Sequence, residues 1–173
     1  MGFSALICLA MCDSHCRFIF FDVSNPGGQP DINCYTNSQL YNWIQEGLFP
    51  NESVVGGDKA FLSQQGNHLF TPFSNPELDR AKRLTDNGIT YNMMVVFNFC
   101  VSSYRITVER AFGMLTGSWL ILRTPLEYKL EQNIKIIMAC VLLHNFKIDG
   151  YEKSHPHHHR NPAALENWLQ RQL

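Results

Sequence analysis

A chain of 173 residues, 45% apolar and 17% charged, suits one domain that can bury a core, which excludes a disordered tail or an acidic linker. The formal net charge of −1 gives nucleic acid no overall attraction, so any DNA contact has to come from a local patch. No apolar run reaches the ~18 residues of a membrane span.

The opening "MGFSALICLAMC" is apolar, has no Lys or Arg ahead of it, and passes directly into "DSHCRFIFFDVS". That pattern predicts two strands, over residues 3–11 and 17–23, with "CDSH" as the turn between them, in preference to a signal peptide. Of the six cysteines, Cys8, Cys100 and Cys140 fall in apolar segments where a reduced thiol is an ordinary core group. Cys12, His15 and Cys16 have ligand-like spacing, but no second pair completes a zinc site, so they are expected to be the hairpin turn. A reduced intracellular protein follows. Next, "SNPGGQPD" predicts a loop, "SQLYNWIQEG" a short helix closed by Gly47, and "ESVVGGD" a brief buried strand ending at Asp58. Residues 66–90, with Pro72 and Pro76, are expected to be mostly loop. Long helices are predicted over residues 93–115 and 130–148, the second so apolar in its middle that it has to be buried. "YEKSHPHHHRNP" predicts a polar linker whose histidines are solvated, and "PAALENWLQRQL" a closing amphipathic helix. Strands followed by packed helices point to an α/β or α+β layer fold.

In the first long helix, Val101, Tyr104, Val108, Phe112 and Leu115 share one stripe, the expected core face. Asn98, Ser102, Arg105 and Glu109 recur at helical spacing beside it. Glu109 is thus expected at the margin of the buried face with Arg105 one turn below. An exposed pair at this spacing contributes only ~0.3–0.5 kcal/mol. His144 on the second helix is expected to be a core histidine bonded to backbone.

The ordered segments "NPGGQPDINCYTNSQLY", "VVGGDKAFL" with "FTPF", "FNFCVSSYRITVERAFGML" and "IMACVLLHNF" together resemble the PIF/Harbinger-type DDE transposase family and its domesticated nuclease-like relatives. The resemblance covers about residues 3–146. It implies an α/β, ribonuclease-H-like catalytic core and metal-dependent DNA strand cleavage. By the same resemblance Asp58 and Glu109 are catalytic metal ligands, Asp31 is a less certain third, and Arg105, Ser102 and Asn98 support them. The implied cofactor is Mg²⁺ or Mn²⁺, because these hard ions take carboxylate oxygens and two of them activate water and stabilise the leaving oxygen. DNA, a separate DNA-binding partner protein and a nuclear location are implied as well, and no membrane.

The departures set further expectations. The family's first catalytic Asp lies on a strand upstream of Met1, and its helix-turn-helix is absent here. A partial catalytic domain is therefore expected over residues 1–149, then the His-rich linker over 150–161 and the closing helix over 162–173. The hairpin and the strand near Val55 should border a gap. Thr116 and Ser118 stand where the family tends to carry Lys and Arg, so phosphate binding should be weak. Cleavage by this chain is expected to be impaired, the alternative being a non-catalytic, domesticated interaction module.

Overall fold

The computed structural model describes residues 6–48, 53–64, 68–84 and 88–154. The expected beginning of the first strand (residues 3–5), the His-rich segment (155–161) and the closing helix (162–173) lie outside the described residues.

The hairpin forms as predicted. Strand β1 (Leu6–Cys12) pairs antiparallel with β2 (Phe18–Pro26), Ala10 opposite Phe21 and Met11 opposite Phe20. Asp13 builds the turn. Its carboxylate accepts the backbone N–H groups of His15 (2.9 Å) and Arg17 (3.0 Å) and the Arg17 guanidinium (2.7 Å). Cys16 completes the turn at φ 67, a left-handed conformation uncommon outside glycine. All six cysteines are free.

Burial opposes ionisation of Asp13, but the bonds from Arg17 and His15 outweigh it and hold the carboxyl below its ordinary value. A carboxyl depressed in the folded state adds stability above its unfolded pKa of ~3.9, and that stability is lost as pH falls through the lower folded value. Urea titrations should therefore show wild-type stability level above about pH 5 and declining below about pH 4. Asp13→Asn should be weaker at neutral pH and should decline less steeply in acid. An equally steep acid decline in that variant would remove Asp13 from the account.

Two short helices follow, α1 (Asp31–Thr36) and α2 (Gln39–Gln45). The sequence predicted α2 and its closure, where Gly47 takes φ 68, but not α1. "DINCYT" has poor helix propensity, and α1 is held instead by burial of Cys34 and Tyr35. Strand β3 (Val55–Gly56) pairs parallel with β4 (Leu69–Phe70), with a 3-10 turn, Lys59–Gln64, between them. The predicted strand at β3 is present but half-buried, not buried. Neither β4 nor α3 (Asn75–Ala81) matches the expected loop over residues 66–90. Pro76 does not prevent a helix here: it sits in the first turn of α3, where its missing N–H costs nothing, behind a Ser74–Glu77 capping box.

Helix α4 (Ile89–Ser118) and helix α5 (Leu130–Ser154) are both longer than predicted, and α5 runs five residues past the boundary placed at 149. A second 3-10 turn, Leu120–Arg123, follows α4. The stripe that α4 buries is Val101, Thr107, Ala111 and Leu115. Tyr104, placed in the core by periodicity, is 61% exposed. Tyr104 does lie on the buried stripe, seven residues before the fully buried Ala111, but at that level the stripe borders the cavity between the two sheets, which leaves the ring open. The middle of α5 is also not wholly buried. Cys140, Val141 and His144 face the core, while Leu142 and Phe146 face out at 66% and 76% exposure.

The main core joins Cys16, Phe18, Ala111, Leu115, Cys140 and Val141, binding the hairpin to α4 and α5. A second cluster of Tyr35, Leu40 and Leu69 binds α1 and α2 to β4. Among the described residues β1 pairs only with β2, and β3 only with β4. Both β1 and β3 pack on α4. Between them opens a mostly apolar cavity of about 600 Å³, lined by both strands and by Ser103, Tyr104, Thr107 and Val108 of α4. The architecture is thus mixed: helices packed on two small sheets that border a gap.

Candidate functional site

Strand β3 is pressed against α4 because it ends in glycines. A Cβ on Gly56 would stand 3.4 Å from the Tyr104 Cβ and 3.7 Å from Val101, and one on Gly57 would be 3.2 Å from both Leu69 and Phe61. Asp58 follows directly. It is half-buried, and its Oδ1 accepts the Ala60 N–H at 2.8 Å, while its backbone carbonyl accepts the Phe61 N–H at 3.2 Å. Asp58 thereby starts the 3-10 turn in the manner of a helix cap. Among the described residues its other oxygen receives no donor.

Glu109 is 65% exposed at its side chain, and its partner is Arg105, with Nη2 to Oε1 at 3.7 Å. An exposed pair this loose contributes well under 1 kcal/mol. Glu109 lies five residues beyond Tyr104, which is ~7.5 Å farther along α4 from the contact with Gly56. Asp31 is the exposed first residue of α1. That helix packs on the turn begun by Asp58, with the Tyr35 and Phe61 rings 5.7 Å apart. The fold therefore brings the elements bearing Asp31 and Asp58 side by side and packs the helix of Glu109 on β3. Among the described residues, however, no three or more His, Cys, Asp or Glu side chains form a metal-holding group.

The supporting residues differ in what they do. Ser102 is exposed on α4. Asn98 holds a loop: its Oδ1 accepts the Phe73 N–H at 2.7 Å and its Nδ2 donates to the Phe73 carbonyl at 3.0 Å. One amide side chain here imitates a neighbouring strand and fixes the segment leaving β4. Asn98→Ala should cost about 1–3 kcal/mol in urea unfolding, since both backbone groups lose a part-buried partner. Asn98→Asp keeps the acceptor but sets a second acceptor against the Phe73 carbonyl, so it should not recover wild-type stability. Wild-type stability in either variant would argue against the paired bond.

Two cations that position-by-position reading missed reach the end of α4. Arg123 Nε donates to the Thr116 carbonyl at 3.0 Å, and Lys147 Nζ to the Ser118 hydroxyl at 2.9 Å. Thr116 and Ser118 lack charge themselves, yet the 3-10 turn and α5 return it to the same corner. Only the tertiary fold reveals this, because the partners lie 7 and 29 residues away. Burial pushes Cys8, Cys34 and Cys140 above the ordinary thiol value, so none is a ready thiolate.

Among the described residues no helix is long and apolar enough to cross a membrane. The pattern of the DDE superfamily endonuclease family matches residues 2–145. The chain is similar to proteins named "Putative nuclease HARBI1": 28% identical over 155 residues to that of Mus musculus, 26% over 151 to that of Bos taurus, and 24% over 151 to that of Homo sapiens. Each alignment covers 86% of this chain and 39% of the relative, so the chain spans about two-fifths of the length of these proteins. No solved structure matches the chain. The family pattern takes in both sheets, Asp58, Glu109 and the start of α5 through Asn145, and over that much of its length the chain belongs to the DDE superfamily endonuclease family.

Proposed function

We propose that the chain carries part of the site of a divalent-metal-dependent DNA endonuclease or transposase with a ribonuclease-H-like core. Asp58 and Glu109 are its metal ligands, and Asp31 is a weaker candidate for a third. The observation that carries this reading is the family match across residues 2–145 together with the position of Asp58, at the end of a strand packed on the helix that bears Glu109. The donor chemistry fits: Asp58 keeps an oxygen without a donor among the described residues, Glu109 is only loosely paired, and Mg²⁺ or Mn²⁺ takes such oxygens while retaining water. When bound, the metal would activate the attacking water and stabilise the leaving oxygen of a phosphodiester. Asp58, fixed by the Ala60 N–H, orients one ligand oxygen. Arg105 neutralises Glu109 while no metal is held. DNA is the substrate, a separate protein supplies sequence-specific DNA binding, and the nucleus is the place of action.

The second reading is a non-catalytic, domesticated module. It draws on the absence of a three-ligand group among the described residues, which leaves weak metal affinity. Mn²⁺ titration followed by electron paramagnetic resonance separates the two. One weak site should appear in the wild type and be lost in both Asp58→Asn and Glu109→Gln. A wild type without a Mn²⁺ site, or a site untouched by either change, would favour the non-catalytic module.

A further inference from the structure

Helix α5 presents an apolar face that no other described residue covers. Leu142 is 66%, Leu143 47% and Phe146 76% exposed, with Ala139 exposed one turn before them. The opposite side of the same turns is buried, with Val141 at 3%, His144 at 1% and Ile148 at 8%. Three large apolar side chains within two turns exceed what scattered surface residues need, and such a patch marks an interaction site. Charge closes the stripe at both ends. Helical spacing puts Lys135 and Asp149 on the same side as Leu142 and Phe146, the cation toward the start of α5 and the anion toward its end. Lys135 keeps 72% of its side chain exposed beside Glu131, and Asp149 keeps 45% beside Arg17.

We propose that this face is an interface between two copies of the chain, whose α5 helices pack antiparallel about a two-fold axis near Leu142 and Leu143. The order of residues along the stripe chooses this occupant, because the stripe is complementary to its own reverse. With Leu142 of one copy against Leu143 of the other, Ala139 falls opposite Phe146 and Lys135 opposite Asp149, and the two-fold axis repeats each pair. The small Ala139 leaves the Phe146 ring room to enter between helix axes 8–10 Å apart, as a knob enters a hole. Each Lys135 ammonium carries three protons, so it can serve the Asp149 carboxylate of the other copy without leaving Glu131. Parallel pairing would instead set Lys135 on Lys135, Asp149 on Asp149 and Phe146 on Phe146. From Lys135 to Asp149 the stripe runs ~21 Å. One helix pair of that length is a small interface, so the dimer is a weak and reversible one.

Sedimentation velocity of the 173-residue chain, run from about 1 μM to several hundred μM, tests this over the range where a small interface associates. The wild type should pass from monomer to dimer with rising concentration. Phe146→Glu and Leu142→Glu, both at exposed positions, should each weaken the dimer at least about tenfold and leave the circular dichroism unchanged. Lys135→Glu and Asp149→Lys should each weaken it roughly threefold to tenfold, since symmetry counts every altered pair twice. Arg17 keeps Asp13 as a partner in Asp149→Lys, so the hairpin turn should stand. Combined in one chain, the two charge exchanges restore opposite signs across the axis and should bring association back to within about twofold of wild type. A wild type that stays monomeric over the whole range would overturn the proposal, as would a dimer untouched by both Phe146→Glu and Leu142→Glu. Failure of the combined exchange to recover what the single exchanges lose would overturn the antiparallel pairing, and the proposal with it.

Discussion

Purified and supplied with Mg²⁺ or Mn²⁺, the 173-residue chain is expected to leave supercoiled plasmid DNA unnicked. Two-metal cleavage clamps the attacking and the leaving oxygen together, and holding two ions takes about three carboxylates. On the proposed assignment this chain supplies Asp58 and Glu109, and among the described residues no group of three or more His, Cys, Asp or Glu side chains forms around them. One weakly held ion stabilises only one end of the reacting phosphodiester. Losing the other end costs several kcal/mol of barrier, a rate loss of about a thousandfold or more. The cations at the end of α4 would not rescue this: Arg123 and Lys147 bond to Thr116 and Ser118, and any attraction of phosphates there would act on binding and not on the oxygens being exchanged. Metal-dependent nicking by the wild type that is abolished in Glu109→Gln would overturn the expectation and point to Asp31 as the completing ligand. Nicking unchanged in that variant would instead indicate a contaminating nuclease.

How far the sequence foretold the molecule depends on where each signal is stored. The hairpin, α2, and the two long helices were legible because alternation and helical spacing are local. Helix α1 was not, since its residues are indifferent helix formers and only the burial of Cys34 and Tyr35 against neighbours fixes them. The capping box of α3 was written in the sequence as Ser74 and Glu77 but was outweighed by two prolines. Tyr104 shows a subtler limit. Helical spacing places it on the buried stripe with Ala111 and Leu115, but spacing does not tell where along the helix that stripe meets a cavity instead of a packed neighbour. For the site, Asp58 and Glu109 became candidates through the family resemblance of the ordered segments, whereas the Arg105 pair at 3.7 Å and the turn built on Asp58 required coordinates. The arrival of Arg123 and Lys147 beside Thr116 and Ser118 was invisible to any reading of those two positions alone.

The largest stability effect is expected where α5 holds the hairpin. His144 is buried to 1% exposure and its Nε2 meets the Cys16 carbonyl at 2.8 Å, so that nitrogen must carry the proton. The next residue, Asn145, accepts the Phe18 N–H and donates to the Phe18 carbonyl, both at 2.8 Å. Two adjacent side chains thus satisfy three backbone groups at the point where β2 leaves the turn, the same strand-imitating device that Asn98 applies to Phe73. The bonds fix Phe18, whose ring packs 5.3 Å from both Phe21 and Phe112 and 5.1 Å from His144 at the centre of the core. Asn145→Ala leaves two of these backbone groups without partners, at about 1–3 kcal/mol each, and His144→Ala leaves one and opens a cavity besides. Against a total stability of ~5–15 kcal/mol, either loss is a large share. Each variant should lower Tm by roughly 5–15 °C in a chain of this size. His144→Gln can still donate to the Cys16 carbonyl and should recover part of the loss. Lys147→Ala, one turn on at an exposed bond, should change little. If Asn145→Ala proved no more harmful than Lys147→Ala, the hairpin would have to be held by apolar packing alone, and the pair of bonds to Phe18 would be incidental to the fold.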